Sequence, residues 1–218
     1  MKYMIKYIYI TSLTLIIFFI IISLVTYLHF FNKNFSYLNK YFQQIYVITL
    51  PERKKYIENV MNNINLHCEY FPAILKKNID KNQLVASGVL SYQNKFKNDG
   101  EIACYLSHIS VLKKFLSSNA ENCLIFEDDL KMPESPPTNI SKIFSTIPSD
   151  YDIIYLGRCL DNCQKSVPVN NFIVKPHNPQ CTHAYGVSRK GANKIIALSK
   201  PLEYPIDYIL GKSIFTKK

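Results

Sequence analysis

Hydrophobic and polar positions are distributed in blocks along this chain. The first block runs from Tyr7 to Phe31, with LTLIIFFIIISLV at its centre, and contains no Asp, Glu, Lys or Arg. A helix of that length reaches ~37 Å, enough to cross a bilayer. Tyr7, Tyr9, Tyr27, Phe30 and Phe31 lie near its ends, where aromatic belts form. A cleaved signal peptide has a shorter apolar region ending in a small-residue cleavage site, which this stretch lacks. The pattern therefore predicts a short tail (1–6), a transmembrane signal anchor (7–31), a polar and aromatic stem (32–44) and a folded body (45–218).

Within the body the blocks are shorter and change period. IYVITL (Ile45 to Leu50) reads as a β-branched strand ended by Pro51, and Glu52 to Asn62 has helical composition. After the apolar patch YFPAIL comes a polar stretch to Gly100 that predicts no element. From Glu101 to Ser118, Ile102, Leu106, Ile109 and Leu116 recur at helical spacing, with Cys104, Val111 and Phe115 on a neighbouring face, so this helix is expected to be largely buried. The strands CLIF, DIIYL and HAYGVS follow, then a helix from Arg189 to Ser199. Strands alternating with helices, without an internal repeat, predict an α/β sheet.

Composition places the chain among folded proteins: 218 residues, 48% hydrophobic and 19% charged, suit one domain with a core. The net charge of +10 raises the question of nucleic acid. Lys and Arg occur singly or in short clusters such as Arg53-Lys54-Lys55, with no basic stripe interleaved with stacking aromatics, so no nucleic-acid partner is expected. Positive charge barely differs across the apolar block, with Lys2 and Lys6 before it and Lys33 and Lys40 after it. Six cysteines and the sequons at Asn34 and Asn139 suit a glycoprotein with a luminal body. The expectation is thus a single-pass type II membrane protein of the endoplasmic reticulum or Golgi. Cys159, Cys163 and Cys181 surround one long loop; with His177 and His183 nearby zinc is conceivable, but a disulfide suits the spacing better, and its pairing is open.

The chemistry concentrates in NCLIFEDDL, where Glu127, Asp128 and Asp129 follow an apolar strand. Adjacent like charges need either water or a cation. In open α/β sheets ligands bind beyond the carboxyl ends of strands, so oxygen ligands here suit Mg²⁺ or Mn²⁺ held against a diphosphate. Glu127 and Asp129, alternating with Asp128 along an extended backbone, are the expected metal pair, with Asp128 facing the other way.

The blocks YVITLPERKKYIENVM, GEIACYLSHISVLKKF, CLIFEDDL, YDIIYLG, HAYGVSRKGANKII and PIDYIL, in that order over Ile45 to Leu210, resemble the glycosyltransferase family 25 domain, which includes bacterial lipooligosaccharide and procollagen galactosyltransferases. That resemblance implies a GT-A-like, Rossmann-like nucleotide-sugar-binding fold, inverting transfer from a UDP-sugar, and a divalent metal, Mn²⁺ or Mg²⁺. It places Glu127 to Asp129 in the acidic motif, Ser107 and His108 in a Ser-His pair, and Arg53 at a basic position after the first strand. Ala103 stands where the family tends to have Gly, and family domains continue beyond the position of Lys218, which implies a domain cut short.

The roles expected beside the resemblance are these. Glu127 and Asp129 hold the metal that stabilises the departing diphosphate, and Asp207, in a helix opened by Pro205, is the acceptor base. A carboxylate serving the helix dipole is the competing reading of Asp207. His108 either positions substrate or is a satisfied core histidine, and Arg53 either pairs with the diphosphate or is a solvated surface residue. His183 is a further pocket residue. The expected activity is transfer of galactose or glucose to a hydroxyl of a glycan or protein such as hydroxylysine. The alternative is an inactive member of the fold acting as a binding or scaffold protein.

Overall fold

The computed structural model describes residues 14–26, 34–134, 136–137 and 139–214. Helix α1 (14–26) and helix α2 (Tyr37–Tyr41) precede strand β1 (Gln44–Thr49), helix α3 (Lys54–Asn63), strand β2 (Glu69–Pro72) and helix α4 (Lys81–Ala86). Helix α5 (Asp99–Leu116), strand β3 (Asn122–Glu127), helix α6 (Ile140–Ser145) and strand β4 (Ile153–Cys159) follow. A small hairpin of β5 (Val167–Pro168) and β6 (Val174–Lys175), strand β7 (Gln180–Ser188), helix α7 (Arg189–Leu198), the short α8 (Ile206–Tyr208) and a π-helical segment (Ile209–Ile214) come next.

One expectation is overturned at the outset. Among the described residues no helix is long and apolar enough to cross a membrane. Helix α1 spans residues 14–26, about 20 Å at the usual rise, against a hydrocarbon core of about 30 Å. The single-pass, type II reading with a luminal body is corrected accordingly. The remainder of the predicted anchor and the tail 1–6 lie outside the described residues.

The five-stranded sheet has the order β2-β1-β3-β7-β4. The first three strands run parallel, with Val47 beside Phe126 and Tyr70, while β7 runs antiparallel to both β3 and β4. The α/β class is thus as expected, with a mixed sheet. Both faces are covered, which is why β1 and β3 read as continuous apolar runs. Tyr46, Ile48, Cys123 and Ile125 pack against α5 and α7 on one face. Ile45, Val47, Leu124 and Phe126 pack against Leu38, Ile57, Met61 and Phe144 on the other.

Helix α5 is fixed at both ends. The Asn98 side chain accepts from the Glu101 N–H at its start, and Glu101 accepts in turn from the Lys97 N–H. The Asn98 cap satisfies one N–H that the first turn leaves free, and the Glu101 carboxylate ties the residue before the cap to the helix start. Asp99 and Glu101 in the first turn, and Lys113 and Lys114 in the last, also match the helix dipole. Helix α7 starts where the Ser188 hydroxyl accepts from the Gly191 N–H. Gly191 is required there, because a Cβ would lie 2.1 Å from the Asp152 carbonyl oxygen. The polar stretch without a predicted element holds α4, and Leu90 bridges to Leu202. The Cys159–Cys181 disulfide ties the end of β4 to the start of β7, closing the long loop as expected.

Candidate functional site

The chain leaves β1 to form β2 on one side and later returns to form β3 on the other. The crevice between the carboxyl ends of β1 and β3 is therefore a topological switch point, the usual ligand position in open α/β sheets. A cleft of about 570 Å³ opens there. Its walls are Leu50, Glu52 and Arg53 after β1, Ala73 to Lys77 after β2, one face of α5 from Gly100 to His108, and the acidic triplet at the end of β3.

Three adjacent carboxylates are tolerated because each meets a different environment. Asp128 is buried, accepting from the Leu50 N–H at 2.7 Å and the Arg53 guanidinium at 3.0 Å. Glu127 is half-buried; its Oε1 accepts from the Thr182 hydroxyl at 2.5 Å and lies 3.2 Å from His108 Nε2. Asp129 is exposed at the rim. Asp128, which faces away from its two neighbours as alternation predicts, is therefore the carboxylate that joins β3 to the start of α3. Glu127 and Asp129 remain on the cleft wall.

His108 sits at the floor of the cleft, 1% exposed, with Nδ1 3.0 Å from the Tyr185 hydroxyl. Burial disfavours charge on its ring, but hydrogen bonds with Cys104 and Glu127 outweigh burial and push its pKa up to about 9. Burial likewise tends to raise Glu127, yet His108 and Thr182 hold it below the ordinary carboxylate value. Both directions describe one preference, an imidazolium facing a carboxylate. Ser107 is equally buried, but its hydroxyl is occupied: it accepts from the Ile74 N–H at 2.8 Å and donates to the Ala103 carbonyl at 2.7 Å. It anchors the 73–77 wall to α5.

Asp207 is not on this cleft. It lines a neighbouring one of about 510 Å³ with Lys97, Glu101, Thr182 and Tyr208, and the two clefts share Gly100 and Cys104. Its Oδ1 accepts from the Tyr208 N–H at 2.8 Å. His183 is absent from the lining of either cleft and lies over β4, where a Cβ on Gly157 would meet His183 Nε2 at 2.2 Å. Residues missed in the sequence are Thr182, one position before the predicted strand, and Lys76 and Lys77, exposed on the cleft wall after β2. The signal for the two lysines was their place just beyond a short apolar patch at a strand's carboxyl end.

An α/β sheet carrying a carboxylate-walled cleft at its switch point defines the class of α/β domain with a crevice where ligands usually sit in such sheets. A family model described as glycosyltransferase family 25 (LPS biosynthesis protein) matches residues 42–210, and the chain belongs to that family. It is similar to a glycosyltransferase 25 family member of Drosophila pseudoobscura pseudoobscura, 29% identical over 182 residues, covering 76% of this chain and 29% of that protein. It is also similar to procollagen galactosyltransferase 1 of Danio rerio, 25% identical over 187 residues, covering 78% of this chain and 31% of that protein. A third relative is inactive glycosyltransferase 25 family member 3 of Mus musculus, 25% identical over 186 residues, covering 78% and 31%. The chain thus spans less than a third of the length of these curated relatives.

Proposed function

We propose that this chain is a glycosyltransferase with a GT-A-like, nucleotide-sugar-binding fold, transferring galactose or glucose with inversion from a UDP-sugar to a hydroxyl of a glycan or protein. The observation that carries the reading is the switch-point cleft, whose lining brings together Glu127, Asp128 and Asp129 with Arg53, Lys76 and Lys77. Family membership and the likeness to a protein named procollagen galactosyltransferase 1 support it.

The donor diphosphate lies in the cleft, met by Lys76, Lys77 and the part of the Arg53 guanidinium that Asp128 leaves free. The oxygen donors of Glu127 and Asp129 fit a hard divalent ion such as Mn²⁺ or Mg²⁺, since Asp128 is already engaged by Arg53 and Leu50. When bound, that ion supplies Lewis-acid stabilisation of the departing diphosphate. Asp207 takes the acceptor hydroxyl's proton on a carboxylate oxygen from the second cleft. The two clefts share Gly100 and Cys104, and in this reading donor and acceptor meet across that wall. Ser107 keeps the donor wall in place, and His108 holds Glu127 ionised and oriented.

The second reading, a binding protein without transfer activity, is favoured by the likeness to a relative named inactive over the same share of this chain. Calorimetry and UDP-sugar turnover with and without Mn²⁺ separate the two. The enzyme reading expects metal-dependent UDP binding that Asp129→Ala removes while the circular dichroism spectrum stays unchanged. Unaltered affinity in that variant sinks the metal assignment. Binding without any turnover across a panel of UDP-sugars and acceptors favours the second reading.

A further inference from the structure

Among the described residues, one group of His, Cys, Asp and Glu side chains brings three donor atoms within ligating range, and it is not the pair expected from the acidic motif. Cys104 and His108 stand one turn apart on α5, on one face of the helix, and Glu127 reaches them from the end of β3. Their donor atoms all lie within 4.8 Å of one another. His108 Nε2 and Glu127 Oε1 are 3.2 Å apart. A tetrahedral ion with arms of about 2.0–2.1 Å has a donor-to-donor edge of about 3.3 Å, so this pair already sits at the ligating separation.

The surrounding contacts hold the donors in place. The fully buried Tyr185 hydroxyl lies 3.0 Å from His108 Nδ1, and accepting from an Nδ1–H directs the Nε2 lone pair toward Glu127 and Cys104. The Thr182 hydroxyl donates to Glu127, fixing that carboxylate as well. All three donors line the 570 Å³ cleft, which leaves the remaining position open to it.

We propose that Cys104, His108 and Glu127 form a three-ligand site for a borderline divalent ion such as Zn²⁺, with its fourth position open to the cleft. Sulfur, imidazole and carboxylate together suit zinc or cobalt, whereas Mg²⁺ and Mn²⁺ prefer oxygen alone. The ion replaces the Cys104 thiol proton and the Nε2 proton of His108, which pass to solvent, and the thiolate and carboxylate neutralise it. The site makes no use of Asp129 and does not depend on the transferase reading. It shares Glu127 with the hard-metal pair, so an ion seated here competes with Mn²⁺.

The test is a Co²⁺ titration of the full chain after chelator treatment and removal of the chelator. A site with a thiolate ligand gives a near-ultraviolet sulfur-to-cobalt band and strong visible bands that saturate at one equivalent and disappear on adding Zn²⁺. Cys104→Ser loses the near-ultraviolet band, whereas Cys163→Ser, which alters an exposed thiol elsewhere, retains it. Thr182→Val keeps the band but weakens Co²⁺ affinity by roughly 10–100-fold, as for other residues that orient a ligand. No thiolate band in the wild-type chain, or a band unchanged in Cys104→Ser with native circular dichroism, overturns the site. Asp129→Ala separates the two readings: it leaves the cobalt spectrum intact even where Mn²⁺-dependent UDP binding is lost.

Discussion

Asp128 and Arg53, 75 positions apart in sequence, are joined by a 3.0 Å ion pair across the carboxyl ends of β3 and β1. The same carboxylate holds the Leu50 N–H. The two ends of this pair are not equivalent, because the Arg53 side chain is 48% exposed and that of Asp128 only 9%. Removing Asp128 leaves a partly buried N–H without its acceptor. Asp128→Ala should therefore lower stability by about 1–3 kcal/mol. Arg53→Ala removes a half-exposed partner and should lower it by less, about 0–1 kcal/mol. Urea titrations of both variants check the order, and an Arg53→Ala loss exceeding that of Asp128→Ala contradicts it.

How far this site was legible in the chain depends on the distance between partners. The strand before the acidic triplet and helix α5 emerged within two residues of their observed bounds, because apolar period and capping residues are local signals. Alternation predicted that Asp128 faces away from its neighbours. It carried no information on Leu50 or Arg53, which reach Asp128 only once β1 and β3 pair. The antiparallel run of β7 was hidden for the same reason, since strand direction is a property of the partner rather than of the segment. Cys104 reads as a core thiol in an apolar run, yet the helix turns it half-exposed onto both clefts.

The His108–Glu127 pair sets a pH dependence in chelator-treated protein. His108 is raised from 6.5 to about 9, so its contribution to stability is fully present below pH 6.5 and is lost as pH rises through about 9. Glu127 is lowered from 4.5, so its contribution is present above pH 4.5 and is lost as pH falls through its lowered value. Between pH 6.5 and 9 the melting temperature should decline, and His108→Gln should flatten that part of the profile. An unchanged slope in a folded His108→Gln protein assigns the decline to other groups.

The disulfide between Cys159 and Cys181 closes a loop of sequence separation 22. Loop-closure entropy for that length corresponds to about 3 kcal/mol. Replacing both cysteines by serine should lower stability by roughly that amount in denaturant titrations under oxidising conditions. The single Cys163→Ser change should be near neutral, because that thiol is free and exposed. Equal effects of the two changes argue against this bridge.

Asp207 offers the sharpest test of the proposed transfer. Its Oδ1 accepts a neighbouring backbone N–H, from Tyr208, which an asparagine carbonyl oxygen at the same position also accepts. Asp207→Asn thus preserves the start of α8 while removing the basic lone pair, and the variant should fold with near-wild-type stability. If Asp207 takes the acceptor proton, the transfer rate falls by roughly 10²–10⁴-fold, with donor affinity unchanged because Asp207 does not line the donor cleft. If the carboxylate serves the helix end instead, the change appears as about 0.3–1 kcal/mol of stability with transfer intact. Measuring transfer rate, UDP affinity and melting temperature on this one protein distinguishes the two, and near-normal transfer removes Asp207 from the mechanism.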